Sequence, residues 1–333
     1  MRIDTGIGSN LASVPTRTRS AEQAGLDCLW ASETSNDPFL SLALAAEHSQ
    51  TVSLGTSITI AFARNPMSLA YATNQLQEFS AGRLVVGLGS QVRAHIEKRF
   101  SATWSRPAAR MREYVLALRS IWASFNDGAP LDFHGDFYTH TLMTPLFAPR
   151  PHEFGSPRVF LAAVGPKMTE VAGEVADGVI THGFSSARYV REVTLPALQR
   201  GLERSGRTRA DIELTCPGFI AVGDTDERLA KAREIMRQQV AFYGSTPAYL
   251  PVLELHGWGD LQPELNAWAK RGAWTDMGRL VDDEILDTLT IVTRPESLAA
   301  EIGHRYGGVA DRITVSWWRK DWWPAVEEAL RAL

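Results

Sequence analysis

The sequence predicts a (β/α)8 barrel with insertions after strands 4 and 7, and three observations carry that expectation. Eight short β-rich segments alternate with helical stretches along 333 residues, a length that suits one large α/β barrel. The β-rich segments are nearly continuous apolar runs, as strands covered on both faces by helices must be. A doubly wound open sheet is the competing architecture, but Gly87-Leu88-Gly89 starts a dinucleotide-type motif without completing it, and no such motif follows the first strand.

The expected strands are 2–7, 27–32, 52–60, 83–89, 158–164, 178–181, 212–222 and 312–317. The first helix begins near Pro15 and stops at Gly25, using proline to start and glycine to end. After Pro107, the residues Met111, Val115, Leu118, Trp122 and Phe125 recur at spacings of four and three, one apolar stripe of a helix. The run Asp224-Thr225-Asp226-Glu227 is a capping-box-like entry to a helix reaching about Phe242. Pro324 starts a last helix with Val326, Ala329, Leu330 and Leu333 on one side. Two stretches depart from the alternation. Residues 126–157 read as a hairpin and loop insertion, and residues 244–287 are rich in Trp, Gly and Pro. Each serves as a lid or as a buttress. Without a linker or an internal repeat, residues 1–333 are expected to form one domain.

Composition excludes several functions. The formal charge of −4 gives no basic footprint for nucleic acid. Cys28 and Cys216 are far apart and lack a metal-ligand spacing, and His134 and His140 have no acidic partners at such a spacing, so no metal site is expected. No apolar run approaches the ~18–20 residues that cross a bilayer, and Met1–Gly6 has no apolar signal region. A cytoplasmic protein acting on a small molecule is the expectation.

A barrel carries its active site at the C-terminal ends of its strands. That rule nominates Glu33 and Thr34, residues 57–60, Ser90 to His95, Ala163 to Gly165, Thr181 and His182, Cys216 or Phe219, and Trp317-Trp318. The run Ala163-Val164-Gly165-Pro166-Lys167-Met168 takes a strand through a glycine turn into a helix. Free N–H groups and a positive dipole end there can hold a phosphate, with Lys167 adding a full charge; an ordinary strand-to-helix turn has the same residues. Glu33, His95 and His182 are the candidates for proton transfer. Each has a plain alternative: a solvated loop acid for Glu33, a structural hydrogen bonder for either histidine. The aromatic residues of 243–274 and 317–323 line an apolar pocket or pack a core.

Several segments, in order, resemble the luciferase-like superfamily, and most closely its branch that uses the deazaflavin coenzyme F420. They are 24–33 (AGLDCLWASE), 54–59 (LGTSIT) with Arg64-Asn65-Pro66, 82–90 (GRLVVGLGS), and 160–165 with Ala176-Asp177-Gly178. The resemblance implies the same barrel, commonly homodimeric, and a hydride transfer between F420 and a small organic substrate such as an alcohol, a ketone or an activated double bond. An FMN-dependent monooxygenase and a flavin-binding barrel without turnover are the alternatives. It also implies a non-proline cis peptide at Ser57-Ile58. The coenzyme site would comprise Ser57, Ile58, Ile60, Gln91, His95 and the run Ala163, Val164, Gly165, Pro166, Lys167, Met168, with its phosphate near Ala163–Pro166. The chain departs from the branch in three places. Glu33-Thr34 stands where some relatives have Asp-His, Val92 falls where relatives bring an acid, and the cation that grips a sugar phosphate is replaced around Ser185. Glucose 6-phosphate is therefore not the expected substrate.

Overall fold

The computed structural model describes residues 1–315 and 323–333. Its centre is eight parallel strands: β1 (Arg2–Gly6), β2 (Cys28–Ala31), β3 (Ser53–Thr56), β4 (Leu84–Gly89), β5 (Arg158–Ala162), β6 (Gly178–Ile180), β7 (Glu213–Cys216) and β8 (Arg312–Thr314). Each pairs with the next, and β8 returns to β1 through the Arg2–Arg312 register, so the sheet closes. Closure leaves no free edge on this eight-stranded sheet.

Helices with local stop and start signals surround the strands. Helix α1 (Val14–Gln23) has Pro15 in its first turn and ends where Gly25 adopts φ +70°. There Leu26 N–H reaches back to Ala21 C=O at 3.1 Å, a glycine-dependent cap. Helices α2 (Pro38–Glu47) and α3 (Pro66–Phe79) each have proline in the first turn and an Asx cap, Asp37 accepting from Phe39 N–H and Asn65 from Met67 N–H. The long α4 (Pro107–Asn126) buries the whole expected stripe, Met111, Val115, Leu118, Trp122 and Phe125, against the barrel. Next come α5 (Pro166–Val175) and α6 (Leu195–Arg204), which pack closely. An added Cβ on Gly201 would lie 2.0 Å from the Glu170 carbonyl oxygen. Thr225 caps the helix Asp226–Gly244.

The expectations need three corrections. Strand three is not continuous over 52–60: it stops at Thr56, passes a cis Ser57-Ile58 peptide and resumes as Thr59–Ile60 against β4. Strand seven is not continuous over 212–222. Pro217 has no N–H to give the ladder and Gly218 turns at φ +53°, so Phe219–Val222 leaves the barrel and pairs in parallel with Thr290–Thr293. The last helix, Trp323–Arg331, buries Val326 and Leu330, but Ala329 is exposed off the face that meets the barrel, and Leu333 falls beyond the helix's end and is exposed too. Trp317 and Trp318, and the later part of the eighth strand as expected, lie outside the described residues. The first insertion contains its hairpin, Phe133–His134 against Thr139–His140. The second is helical, with Leu250–Leu255, Leu261–Lys270 and Asp283–Leu289 around an apolar cluster of its own.

The barrel interior is layered. At the N-terminal ends of the strands Arg312 grips Asp4 with two bonds, of 2.7 and 2.9 Å, and reaches Glu213 at 3.1 Å. Trp30 Nε1–H also donates to Asp4 at 2.9 Å. Above this, Cys28, Trp30, Val85, Phe160 and Ile180 form an apolar plug, with Ile58 against it. Gly55 has no side chain because Trp30 fills the space, 2.2 Å from where a Cβ would be. The plug floors the C-terminal half of the barrel and leaves room for a cavity above it.

Candidate active site

A cavity of about 790 Å³ opens at the C-terminal ends of the strands, within the size range of small-molecule sites. One group of lining residues comes from the first half of the barrel and α5: Ser57, Ile58, Gln91, Val164, Gly165 and Met168. A second comes from the segments after β6 and β7, the helix Asp226–Gly244 and the second insertion: Thr181, His182, Phe219, Gln239, Tyr243 and Tyr249. The described lining residues include no Asp or Glu. Their polar groups are hydroxyls, amides, one imidazole and Arg93, whose guanidinium already binds Glu97 at 2.9 and 3.0 Å.

The geometry separates the three proton-transfer candidates. Glu33 is not on the lining. Its carboxylate accepts from Ile60 N–H at 2.8 Å and from Arg64 at 2.8 Å, while its own N–H donates to Ile58 C=O at 3.2 Å. It therefore braces the segment that presents Ser57 and Ile58. His95 lies exposed on the short helix Arg93–Lys98, which buries Ile96, and is also off the lining. His182 does line the cavity, packed against aromatic rings, and burial pushes its pKa down to about 4.

The coenzyme candidates divide similarly. Ser57, Ile58, Gln91, Ala163, Val164, Gly165 and Met168 line the cavity, whereas Ile60 is buried beside it and Pro166 and Lys167 are exposed outside it. Ser57 is fixed from two sides: its N–H donates to Ala31 C=O at 2.8 Å, and its C=O accepts from Ser32 Oγ at 2.8 Å. Gly89 makes room for Ile58, whose side chain would be 2.7 Å from a Cβ there. At the start of α5 no side chain caps the helix, and an added Cβ on Gly165 would meet nothing within 4 Å. Uncapped amides beside open space fit an anionic group.

Cys216 is buried with its thiol pushed up to about 12, and it is not on the lining. Trp104 and Gln239 line the cavity without having been foreseen, and nothing in their sequence surroundings singles them out. Tyr243 and Tyr249 belong to the aromatic-rich stretch that the sequence does flag. Among the described residues no cluster of metal-binding side chains occurs, and no helix is long and apolar enough to cross a membrane.

Comparison with known proteins agrees with this architecture. An uncharacterized protein of Mycobacterium tuberculosis is 51% identical over 313 residues, 94% of this chain and 92% of that protein. The 5,10-methylenetetrahydromethanopterin reductase of Archaeoglobus fulgidus is 28% identical over 291 residues, 85% of this chain and 82% of the reductase. The solved coenzyme F420-dependent tetrahydromethanopterin reductase of Methanopyrus kandleri superposes with a TM-score of 0.78 at 19% identity, covering 98% of this chain and 96% of that one. The family model for luciferase-like monooxygenases matches residues 2–312, and the chain belongs to that family.

Proposed function

We propose that the protein is an F420-dependent oxidoreductase that passes a hydride between the deazaflavin and a small organic substrate. The observation that carries this reading is the cavity itself. Its α5 end has an uncapped helix start and a glycine opening, where a phosphate fits, and its floor is apolar under walls that mix apolar and neutral polar side chains with Arg93. Support comes from the relative named as a methylenetetrahydromethanopterin reductase and from the fold shared with an F420-dependent reductase.

In this reading Gly165 and the first amides of α5 hold the coenzyme phosphate, and Ser57, Ile58, Ala163 and Val164 lie along its ring system. When bound, a deazaflavin supplies a carbon centre that gives or takes a hydride. The chain's part is placement and exclusion of water. Ile58, Val164, Met168 and Ile180 give the cavity apolar surface. Glu33 and Arg64 hold the 57–60 segment in position from behind. Of the three polar candidates, only His182 lines the cavity, and it is the one this reading places beside the substrate. The reading also includes a homodimer. Phe79, Leu142, Leu146 and Phe147 are exposed apolar side chains, and Tyr71 of α3 donates to Phe147 C=O at 2.7 Å, tying that loop to α3.

The test is anaerobic incubation with oxidised F420 and a panel of alcohols, or with reduced F420 and ketones and enones, followed by absorbance. Coenzyme turnover with at least one class is expected. Oxygen uptake with reduced FMN, and none of that turnover, would instead make the protein a monooxygenase.

A further inference from the structure

One wall of the cavity is a box of aromatic rings around a single imidazole. The His182 ring lies 4.6 Å from Tyr243, 4.6 Å from Tyr249 and 6.1 Å from Phe219, centroid to centroid. Phe219 and Tyr243 are themselves 5.4 Å apart. None of these four residues belongs to the elements assigned above to the coenzyme.

The imidazole has a fixed tautomer. Phe184 N–H donates to His182 Nδ1 at 2.9 Å, so Nδ1 is the acceptor and a neutral ring carries its proton on Nε2. Burial keeps the ring neutral, with its pKa near 4. Among the described residues nothing accepts from Nε2, and the hydroxyls of Tyr243 and Tyr249 have no partner. This arrangement rules out two roles. With Nδ1 engaged and Nε2 protonated the ring is not a base, and without an imidazolium at neutral pH it is not a strong acid. It can donate a hydrogen bond, as a neutral imidazole that polarises a carbonyl does. The box also selects by charge. A cationic amine is drawn to ring faces, but it meets no carboxylate on the described lining and shares the cavity with the Arg93 guanidinium. A carboxylate would lose its hydration and meet only neutral donors at this wall, His182 Nε2–H and the hydroxyls of Tyr243 and Tyr249, a costly exchange. An uncharged flat molecule with one acceptor oxygen satisfies both the rings and the donor.

Resting on the hydride-transfer reading above, we infer that His182, Phe219, Tyr243 and Tyr249 form the substrate subsite. It takes a flat, uncharged aromatic or conjugated carbonyl compound whose oxygen accepts a hydrogen bond from His182 Nε2–H. His182 then acts on the substrate by polarising its C=O bond while the carbon takes the hydride from the reduced deazaflavin and the oxygen takes its proton from water, and the box sets specificity for unsaturated over charged compounds.

The experiment is infrared difference spectroscopy of carbonyl-labelled acetophenone bound to the full-length protein, with and without oxidised F420. A C=O stretch shifted to lower frequency is expected in the wild type. In His182→Phe the shift should vanish and affinity should fall about three- to tenfold, the worth of one neutral hydrogen bond. His182→Gln, whose side-chain amide can donate, should restore the shift. Benzoate and benzylamine should bind at least about tenfold more weakly than acetophenone. An unshifted carbonyl in the wild type, an unchanged shift in His182→Phe, or benzoate binding as tightly as acetophenone overturns the inference. Nitrogen-15 spectra of the wild-type imidazole at pH 7 test it without any variant: a proton on Nε2 is expected, and a proton on Nδ1 overturns it. A carbonyl shift without F420 binding would strike the hydride-transfer reading and leave the subsite. F420 binding without the shift would strike the subsite alone.

Discussion

At the scale of single residues, His182 links stability to pH with a definite sign. Its folded-state pKa is about 4, below the ordinary value of 6.5, because burial disfavours the charged ring. Between those values the unfolded chain binds more protons than the folded one. Stability is therefore complete above about pH 6.5 and falls as pH drops toward 4, by about 3 kcal/mol in all. His182→Phe should remove that part of the acid limb, while at pH 7 it should cost about 1–3 kcal/mol because Phe184 N–H loses its acceptor. Urea melts at pH 4.5 and 7 check this, and an identical pH dependence in variant and wild type would contradict it. Glu33 makes a different prediction. Because Arg64 and Ile60 N–H occupy its carboxylate, Glu33→Ala should weaken coenzyme binding and lower stability together. A proton carrier would instead lose turnover by about 10²–10⁴-fold with binding intact. Equilibrium coenzyme binding alongside turnover distinguishes the two. The strand-end rule pointed at Glu33, His95 and His182 alike. What separated them was side-chain direction, which depends on partners distant in sequence: Arg64 is 31 residues from Glu33. His95 faces out because Ile96 takes the buried face of its short helix.

At the scale of elements, two glycines of neighbouring helices predict opposite outcomes. Gly165 has ordinary extended backbone (φ −94°, ψ 161°) and open space at its Cβ position. Gly165→Val should therefore change stability by no more than about 0.5 kcal/mol and weaken F420 binding at least about tenfold. Gly201 sits where α6 meets α5, with backbone 2.0 Å from a Cβ. Gly201→Ala should cost about 1–3 kcal/mol by overpacking and leave coenzyme affinity nearly unchanged. Thermal melts and fluorescence titrations of both variants check the pair. The caps of α1 and the stripe of α4 were legible because they are local and periodic. The break in strand seven also had a local signal, Pro217-Gly218, hidden inside an apolar run. Its consequence was not legible. Phe219–Val222 pairs with Thr290–Thr293, about 70 residues later, and no periodicity announces a parallel pairing over that distance. The same departure carries Phe219 to the cavity, where the strand-end rule had named it as the alternative to Cys216.

At the scale of the molecule, the barrel separates stability from binding along its axis. The Asp4–Arg312–Glu213 network closes the N-terminal end, the apolar plug fills the middle, and the cavity occupies the C-terminal end. Arg312→Met strands the buried Asp4 carboxylate and should cost about 3–5 kcal/mol, with coenzyme affinity in the folded fraction unchanged. Denaturant unfolding and binding on the same preparation check that division. The closed sheet was legible from eight apolar segments alternating with helices. The cavity's second wall was legible only in part: the strand-end rule named His182 and Phe219, but the sequence did not show whether the aromatic residues around Tyr243 and Tyr249, from the helix Asp226–Gly244 and the insertion after it, line a pocket or pack a core. The central claim is that the cavity holds a deazaflavin, and equilibrium binding of oxidised F420 and of FMN, each followed by fluorescence, tests it most directly. Micromolar or tighter binding of F420, about −8 kcal/mol, is expected, with FMN much weaker. A preference for FMN, or binding of neither, would contradict it.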